Sequence, residues 1–132
     1  RIIGTVDRLE VEADGSLFII DFKTGSTAIS KEEAKKNLQL ASYQLGVTEG
    51  GFADGTKSSG AELVYLGTDN KGAAVRDQGP IDHKVVREEV AQAAEAMGAK
   101  EFIATVNDRC RKCPVKKVCP VQANGRTVLD GN

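Results

Sequence analysis

Three charged residues near the start of the chain, Asp7, Asp21 and Lys23, form a candidate catalytic group of two carboxylates and one ammonium. Two carboxylates held a few ångströms apart repel each other unless a cation lies between them, and hard oxygen ligands favour Mg²⁺ or Mn²⁺. A lysine beside them suits an anionic substrate, because it can orient an attacking water and offset the charge that builds on a phosphate. This combination predicts metal-assisted hydrolysis of a phosphodiester.

Two predicted β-strands carry these side chains. Residues 2–11, IIGTVDRLEV, are rich in β-branched residues and alternate between the two faces of a strand. Residues 17–23, LFIIDFK, predict a second strand on which Asp21 and Lys23 share a face, roughly 6.5–7 Å apart. The pattern indicates a hairpin that carries a candidate metal site.

The length of the loop between the strands decides whether the two acids meet. A three-residue loop at 13–15, with Gly15 in the left-handed conformation, places Asp7 directly opposite Asp21. A two-residue loop pairs Asp7 with Phe22 instead, which separates the two carboxylates. We predict the three-residue loop, with a strand bulge as the main way for the acids to be kept apart.

A helix is predicted after the hairpin, over residues 31–46. Ser30 and Glu33 have the Ser-x-x-Glu spacing of a capping box at its start. Gln39 and Tyr43 are four residues apart, so they lie on one face of the helix, one turn apart. Apolar residues at helical intervals predict its buried stripe: Ala34, Leu38, Ala41 and Leu45.

The rest of the chain completes an α/β pattern, with a mixed central sheet flanked by helices. Residues 49–60 are turn formers and predict an exposed loop, and short runs over 61–66 and 73–77 predict two more strands. Asp82 is the predicted cap of a second helix over 83–98. The core stripe of that helix is Val86, Val90, Ala93 and Met97.

The composition indicates one domain over residues 1–132. The chain is 40% apolar, and its 18 basic and 19 acidic residues give a net charge of −1, which neither favours nor excludes a nucleic-acid partner. No stretch is long and apolar enough to span a membrane. The chain begins at Arg1, inside a strand pattern and without methionine, so we expect a fragment that is truncated at its N-terminus.

An irregular, cysteine-rich segment is predicted at the C-terminal end, over residues 106–132. Cys110, Cys113 and Cys119 are spaced C-x2-C-x5-C, and prolines follow the second and the third. Three thiolates are one short of the four ligands that a zinc or iron–sulfur site normally takes. An odd count also leaves one thiol over from any disulfide. An iron–sulfur cluster, zinc and free thiols remain as alternatives.

Three motifs, in this order and spacing, resemble the signature of the PD-(D/E)XK nuclease superfamily: GTVDRLE, IIDFKTG and QLASY. The resemblance covers residues 4–43 and is found again at the three cysteines. It is to the RecB-like branch of the superfamily, whose domains lie at the ends of bacterial helicase–nucleases. Gln39 and Tyr43 match the Gln-x-x-x-Tyr motif of that branch. The resemblance implies a restriction-endonuclease-like fold and metal-dependent cleavage of DNA, with these two residues positioning the DNA or the catalytic strand.

The same resemblance implies roles for the hairpin residues. Asp7 and Asp21 become ligands of Mg²⁺ or Mn²⁺, together with the main-chain carbonyl of Phe22. Lys23 becomes the catalytic lysine, which assists the nucleophilic water. The family's upstream helix, which carries a further acid or histidine, is not in this chain. We therefore expect the chain alone to be weakly active or inactive.

RecB-like domains of the AddB and AdnB types resemble this chain in their C-terminal cysteines as well. The resemblance implies a [4Fe–4S] cluster in the full-length protein, held by Cys110, Cys113, Cys119 and a fourth cysteine upstream; we expect the cluster to be absent from this fragment. The implied protein is a cytoplasmic exonuclease for recombinational DNA repair. It acts on single-stranded DNA ends supplied by a helicase domain or subunit and has no membrane partner.

Each of these features also has a plainer interpretation. Asp21 and Lys23 could form a half-exposed ion pair at a strand end, with Asp7 a solvated acid. The domain could be a catalytically silent nuclease fold kept for DNA binding or scaffolding, or a zinc-binding structural module. We assign His83 to the surface and Tyr65 to the core or its rim. Basic residues around the cysteines could face solvent or contact DNA phosphates: Arg109, Arg111, Lys112, Lys116 and Lys117.

Overall fold

The computed structural model describes residues 3–68, 72–100 and 103–122. Its contacts divide the chain into two units, Arg1–Ala93 and Ala94–Asn132. The first two residues and the last ten, on which parts of the predicted first strand and cysteine-rich segment fall, lie outside the described residues. None of the helices that the structure describes is long and apolar enough to cross a membrane.

A four-stranded mixed sheet forms the centre of the first unit, with strand order β1-β2-β3-β4. The strands are β1 (Arg8–Val11), β2 (Leu17–Lys23), β3 (Ser58–Tyr65) and β4 (Ala74–Gln78). β2 and β3 are parallel, and the two outer pairs are antiparallel. A parallel pair needs a crossover, which the helices α1 (Lys31–Lys35) and α2 (Leu38–Thr48) supply. The predicted α/β class, a mixed sheet flanked by helices, is confirmed.

The β1–β2 hairpin has the predicted register. Arg8 lies opposite Ile20, and the N–H of Glu12 donates to the carbonyl of Ser16 at 2.8 Å. The residues between these two form the predicted three-residue loop. Gly15 has a φ of 78°, in the left-handed region that glycine adopts without strain. Local turn chemistry therefore sets the pairing that carries the candidate acids.

Polar contacts around Asp14 hold this loop in place. Nζ of Lys57 is 2.7 Å from its Oδ2, and the N–H of Ser16 donates to its Oδ1 at 3.0 Å. The Lys57 ammonium, followed by the Ser16 donors, holds the pKa of Asp14 well below its usual range. The ionised form thus contributes stability above the usual aspartate pKa, and this contribution is lost as the pH falls towards the lowered pKa.

The strand boundaries differ from the predicted ones. β1 is shorter than predicted, because the side chain of Asp7, rather than a main-chain carbonyl, accepts a hydrogen bond from the N–H of Phe22. β3 begins at Ser58, inside the predicted loop, because Ser58 pairs with Leu17 next to a β-bulge. The predicted bounds of β4 are one residue too early at both ends.

The prediction of one continuous helix over 31–46 is wrong. The chain forms α1 and α2 instead, with a break at Lys36 and Asn37. The side-chain oxygen of Asn37 accepts from the N–H of Leu40 at 3.0 Å, so Asn37 is the N-cap of α2. The capping box predicted at Ser30 is present at the start of α1.

The break changes which side chains are buried. Leu38, predicted in the core, is 61% exposed, whereas Leu40 and Val47 are fully buried. Each buried leucine or isoleucine contributes about 1.5–3 kcal/mol, so this layer fixes α2 against the strand that carries Asp21 and Lys23. The main cluster consists of Leu17, Ile19, Leu40, Val47, Ala61, Leu63 and Tyr65.

The third helix, α3 (His83–Gly98), has the predicted bounds and the predicted cap. Two N–H groups of its first turn lie 3.0 and 3.4 Å from Oδ1 of Asp82. Val86 is buried against α2, and Val90 packs at the edge of the same cluster. Ala93 and Met97, predicted in the core, are exposed.

A buried pair of glutamines fixes the break between α1 and α2. Nε2 of Gln44 donates to Oε1 of Gln78 at 3.0 Å. Nε2 of Gln78 in turn lies 3.0–3.1 Å from three main-chain carbonyls around the break and shares its two protons among them: Ala34, Lys35 and Asn37. Ala34 and Lys35 end α1, and Asn37 is the N-cap of α2, whose carbonyl also accepts from the N–H of Ala41. β4 thereby determines where α2 begins and where its first turn, with Gln39, is placed.

The cysteine-bearing segment forms part of the second unit. Within its described residues it has two short 3₁₀ helices after α3, Asp108–Lys112 and Lys116–Val118, and is otherwise irregular, as predicted. All three cysteines are free and half-buried. The basic side chains around them are exposed.

Candidate active site

Asp21 and Lys23 lie two residues apart on β2, on the face that α2 covers. The side chain of Asp21 is 5% exposed and that of Lys23 is 31% exposed, and Nζ is 2.6 Å from Oδ2. The plainer interpretation, a half-exposed ion pair between Asp21 and Lys23, predicts the observed partners. It does not predict that the carboxylate of the pair is buried. Burying a carboxylate is costly unless it is paired, so Lys23 is the group that offsets the burial of Asp21.

Gln39 of α2 joins the two charged groups. Its Nε2 donates to Oδ1 of Asp21 at 3.0 Å, and its Oε1 accepts from Nζ of Lys23 at 2.8 Å. This orientation of the amide follows from its partners, because a carboxylate only accepts and an ammonium only donates. Nε2 also donates to the hydroxyl of Tyr43 at 2.9 Å, one helical turn further along. These four residues, the Asp21 cluster, form one connected hydrogen-bonded and charged network.

Asp7 is exposed and precedes β1, where the hairpin register, extended by one residue, places it opposite Asp21. Its Oδ2 accepts from the N–H of Phe22 at 2.8 Å. The N–H and C=O of one strand residue point to the same side, so the Phe22 carbonyl faces the edge of β2 where Asp7 lies. Within the described part of the chain, Asp7 makes no hydrogen bond to the Asp21 cluster. Its hydrogen-bond partner is the N–H of Phe22, the residue next to Asp21.

The oxygen atoms at this edge suit a hard divalent cation. Oδ2 of Asp21 is buried and has no hydrogen-bond donor among the described residues, since Lys23 approaches it at 2.6 Å without hydrogen-bond alignment. The Lys23 ammonium offsets the charge of Asp21, and a divalent cation is a further partner that the carboxylates of Asp21 and Asp7 could bind together. Carboxylates and main-chain carbonyls are the ligands that Mg²⁺ and Mn²⁺ prefer. No group of three His, Cys, Asp or Glu side chains in the described ranges could hold a metal, so main-chain oxygen and water must complete such a site.

The sequence matches one protein family over most of its length. A sequence model of the PD-(D/E)XK nuclease superfamily matches residues 1–120. The chain belongs to this superfamily. PD-(D/E)XK nucleases generally hydrolyse the phosphodiester bonds of nucleic acids and typically use divalent metal ions, so membership points to a nuclease with a nucleic-acid substrate. A search of curated proteins found no match.

The three cysteines of this PD-(D/E)XK domain are not gathered into a metal site within the described residues. The N–H of Asn107 donates to Sγ of Cys110 at 3.3 Å, and this Sγ lies 3.9 Å from the carbonyl of Thr105. Cys113 and Cys119 are free as well. Thiolates suit zinc or an iron–sulfur cluster, but three are one ligand short of either.

Other side chains in the PD-(D/E)XK domain take the positions predicted for them or add to the site. Tyr65 is buried in the core and His83 is exposed. Phe52, from the predicted exposed loop, packs over Gly46 and lines a groove together with Tyr43. Phe52 is not among the site residues predicted from the sequence, and a lone aromatic among turn formers is the signal that could have indicated it.

Proposed function

We propose that this chain is a metal-dependent DNA nuclease domain that hydrolyses phosphodiester bonds. The observation that carries the proposal is the buried carboxylate of Asp21, whose Oδ2 contacts Lys23 without an aligned hydrogen-bond donor in the described part of the chain. A buried carboxylate, the ammonium paired with it and a second carboxylate held on the next residue are groups that metal-assisted hydrolysis of a phosphodiester can use. Membership in the PD-(D/E)XK superfamily supports the same chemistry.

The metal ligands in this proposal are the carboxylates of Asp7 and Asp21 and the carbonyl of Phe22. Asp21 brings a buried negative charge, and the hydrogen bond from Phe22 to Asp7 keeps the second carboxylate beside it. Mg²⁺ or Mn²⁺, when bound, supplies Lewis acidity to the phosphate and lowers the pKa of a bound water.

The remaining members of the Asp21 cluster act on the water and on each other. Lys23 orients the attacking water and offsets the negative charge that develops on the phosphate. Gln39 holds the lysine and the carboxylate through its two ends, which restricts both side chains to one geometry. Tyr43 accepts from the same amide and so limits the rotation of Gln39.

A narrower assignment makes the chain an exonuclease domain of the AddB or AdnB type, working in recombinational repair with a helicase domain or subunit. The C-x2-C-x5-C spacing of the cysteines supports it, because a [4Fe–4S] cluster would need only one further cysteine in the longer protein. The exposed basic residues around the cysteines also suit contact with DNA phosphates. Iron and inorganic sulfide in the full-length protein would support the cluster, whereas one zinc per chain would refute it.

Metal dependence of DNA cleavage tests the broader proposal. We expect the chain to bind Mn²⁺ and to degrade DNA slowly with Mg²⁺ or Mn²⁺, with EDTA stopping the reaction and excess metal restoring it. Single-turnover conditions, with the chain in excess over end-labelled DNA, detect even weak cleavage. A chain that binds no Mn²⁺ contradicts the proposal. Binding of both Mn²⁺ and DNA without cleavage favours the catalytically silent, DNA-binding alternative.

A further inference from the structure

A groove lies beside the Asp21 cluster, between the segment before β1 and helix α2. Its volume is about 730 Å³, within the range of about 300–1,000 Å³ that is usual for ligand sites. Two glycines border its aromatic rings: a Cβ on Gly4 would be in ordinary van der Waals contact with the Tyr43 ring, at 3.7 Å, and one on Gly46 with the Phe52 ring, at 3.8 Å. Both aromatic side chains are half-buried, so part of each remains accessible.

Tyr43 belongs to the groove and to the Asp21 cluster at once. Its side chain lines the groove, and its hydroxyl accepts from the Gln39 amide that also donates to Asp21. Tyr43 therefore lies between a molecule in the groove and the proposed site of phosphate cleavage. The groove and the cluster can hold two parts of the same substrate.

The chemistry of the lining indicates which part of a nucleotide the groove accepts. Among the described residues that line it, only Glu49 is charged, and Glu49 is paired with Arg87. The lining thus offers no cation to a phosphate, while Phe52 and Tyr43 offer aromatic surface. Every nucleobase has a flat π-face that can stack on such rings, so this contact does not depend on the sequence of the DNA.

We propose that this groove takes an unpaired nucleobase of the DNA strand, stacked on Phe52 beside Tyr43, and thereby selects single-stranded DNA. The inference rests on the proposed nuclease function, because it is the cleaved strand that brings the base to the groove. A base within a duplex is paired and stacked on its neighbours, so moving it into the groove costs free energy. This cost is smaller for a base in a single strand, which has no pairing partner to lose. Duplex DNA is therefore the poorer substrate.

A fluorescent base analogue tests the stacking directly. We expect a single-stranded oligonucleotide with 2-aminopurine to lose fluorescence when it binds the chain in EDTA, where no cleavage occurs. Phe52→Leu keeps an apolar side chain without the aromatic face, so it should abolish most of this quenching and weaken binding about 5- to 100-fold. Phe18→Leu removes a half-buried ring from the opposite face of the sheet and should change neither quantity.

A second experiment alters the DNA instead of the protein and compares the unaltered chain with Phe52→Leu. An oligonucleotide with abasic sites should bind more weakly than the normal strand by the factor seen for Phe52→Leu, and Phe52→Leu should not weaken its binding further. Equal affinity for abasic and normal strands, or equal cleavage of duplex and single-stranded DNA, would overturn the inference. Failure of the nuclease function gives a different pattern, in which quenching and affinity behave as expected but no metal-dependent cleavage follows.

Discussion

Asp21→Asn should lower the rate of metal-dependent DNA cleavage by at least about 1,000-fold. The substitution keeps the volume of the side chain and removes its charge, so the cation loses its buried ligand. An asparagine oxygen can still accept from Nε2 of Gln39, but the amide NH2 then faces the Lys23 ammonium, which is also a donor. We therefore expect the free energy of unfolding to fall by about 1–3 kcal/mol. Single-turnover cleavage, Mn²⁺ titration calorimetry and urea denaturation measure the three quantities.

The matched control for this variant is Asp77→Asn, which changes an exposed aspartate on β4. It should keep both cleavage and Mn²⁺ affinity. We expect Asp21→Asn to lose both together, because a single carboxylate supports both. Loss of cleavage with unchanged Mn²⁺ affinity would show that Asp21 is not a metal ligand.

The hairpin could be predicted from the sequence because its geometry depends on neighbouring residues. A three-residue loop with Gly15 at positive φ is a local solution. The loop length places Asp7 opposite Asp21, and alternation along β2 puts Asp21 and Lys23 on one face. The contact between Gln39 and Tyr43 follows in the same way from the period of a helix.

The helix break could not be predicted, because its stabilising partner is distant in sequence. Asn37 has the type of an N-cap, yet it lies inside a stretch whose apolar residues recur at helical intervals. Its carbonyl accepts from Gln78, which reaches the break from β4. The early start of β3 at Ser58 likewise depends on the pairing edge that β2 provides. A single sequence shows neither partner.

The burial of Asp21 is the feature that matters most for the proposed function. The pattern of residues along the sequence could not predict it. Alternation predicts the face on which a strand residue lies, but not what covers it. Here α2 covers the end of β2, and its placement depends on the glutamine pair of Gln44 and Gln78. A carboxylate that could have been a solvated acid is thereby buried in an ion pair with Lys23, where the proposed mechanism has it bind a divalent cation as well.

Lys23→Ala should lower the rate of DNA cleavage by about 100- to 1,000-fold and at the same time strengthen Mn²⁺ binding. Alanine can neither orient the water nor offset the charge on the phosphate, so cleavage is lost. Metal affinity rises because the substitution removes a positive charge that lies 2.6 Å from Oδ2 of Asp21 and repels a cation there. Cleavage at saturating Mn²⁺ and calorimetric titration measure the two effects separately.

Lys57→Ala is the matched control for this variant, because it removes a lysine from an ion pair with Asp14 in the hairpin loop. It should alter neither cleavage nor Mn²⁺ affinity. The opposite changes in metal affinity then distinguish the two central residues, since Asp21→Asn loses the metal and Lys23→Ala retains it. Undiminished cleavage by Lys23→Ala would end its assignment as the catalytic lysine. Weaker Mn²⁺ binding by that variant would instead mean that Lys23 acts by holding Asp21 in place.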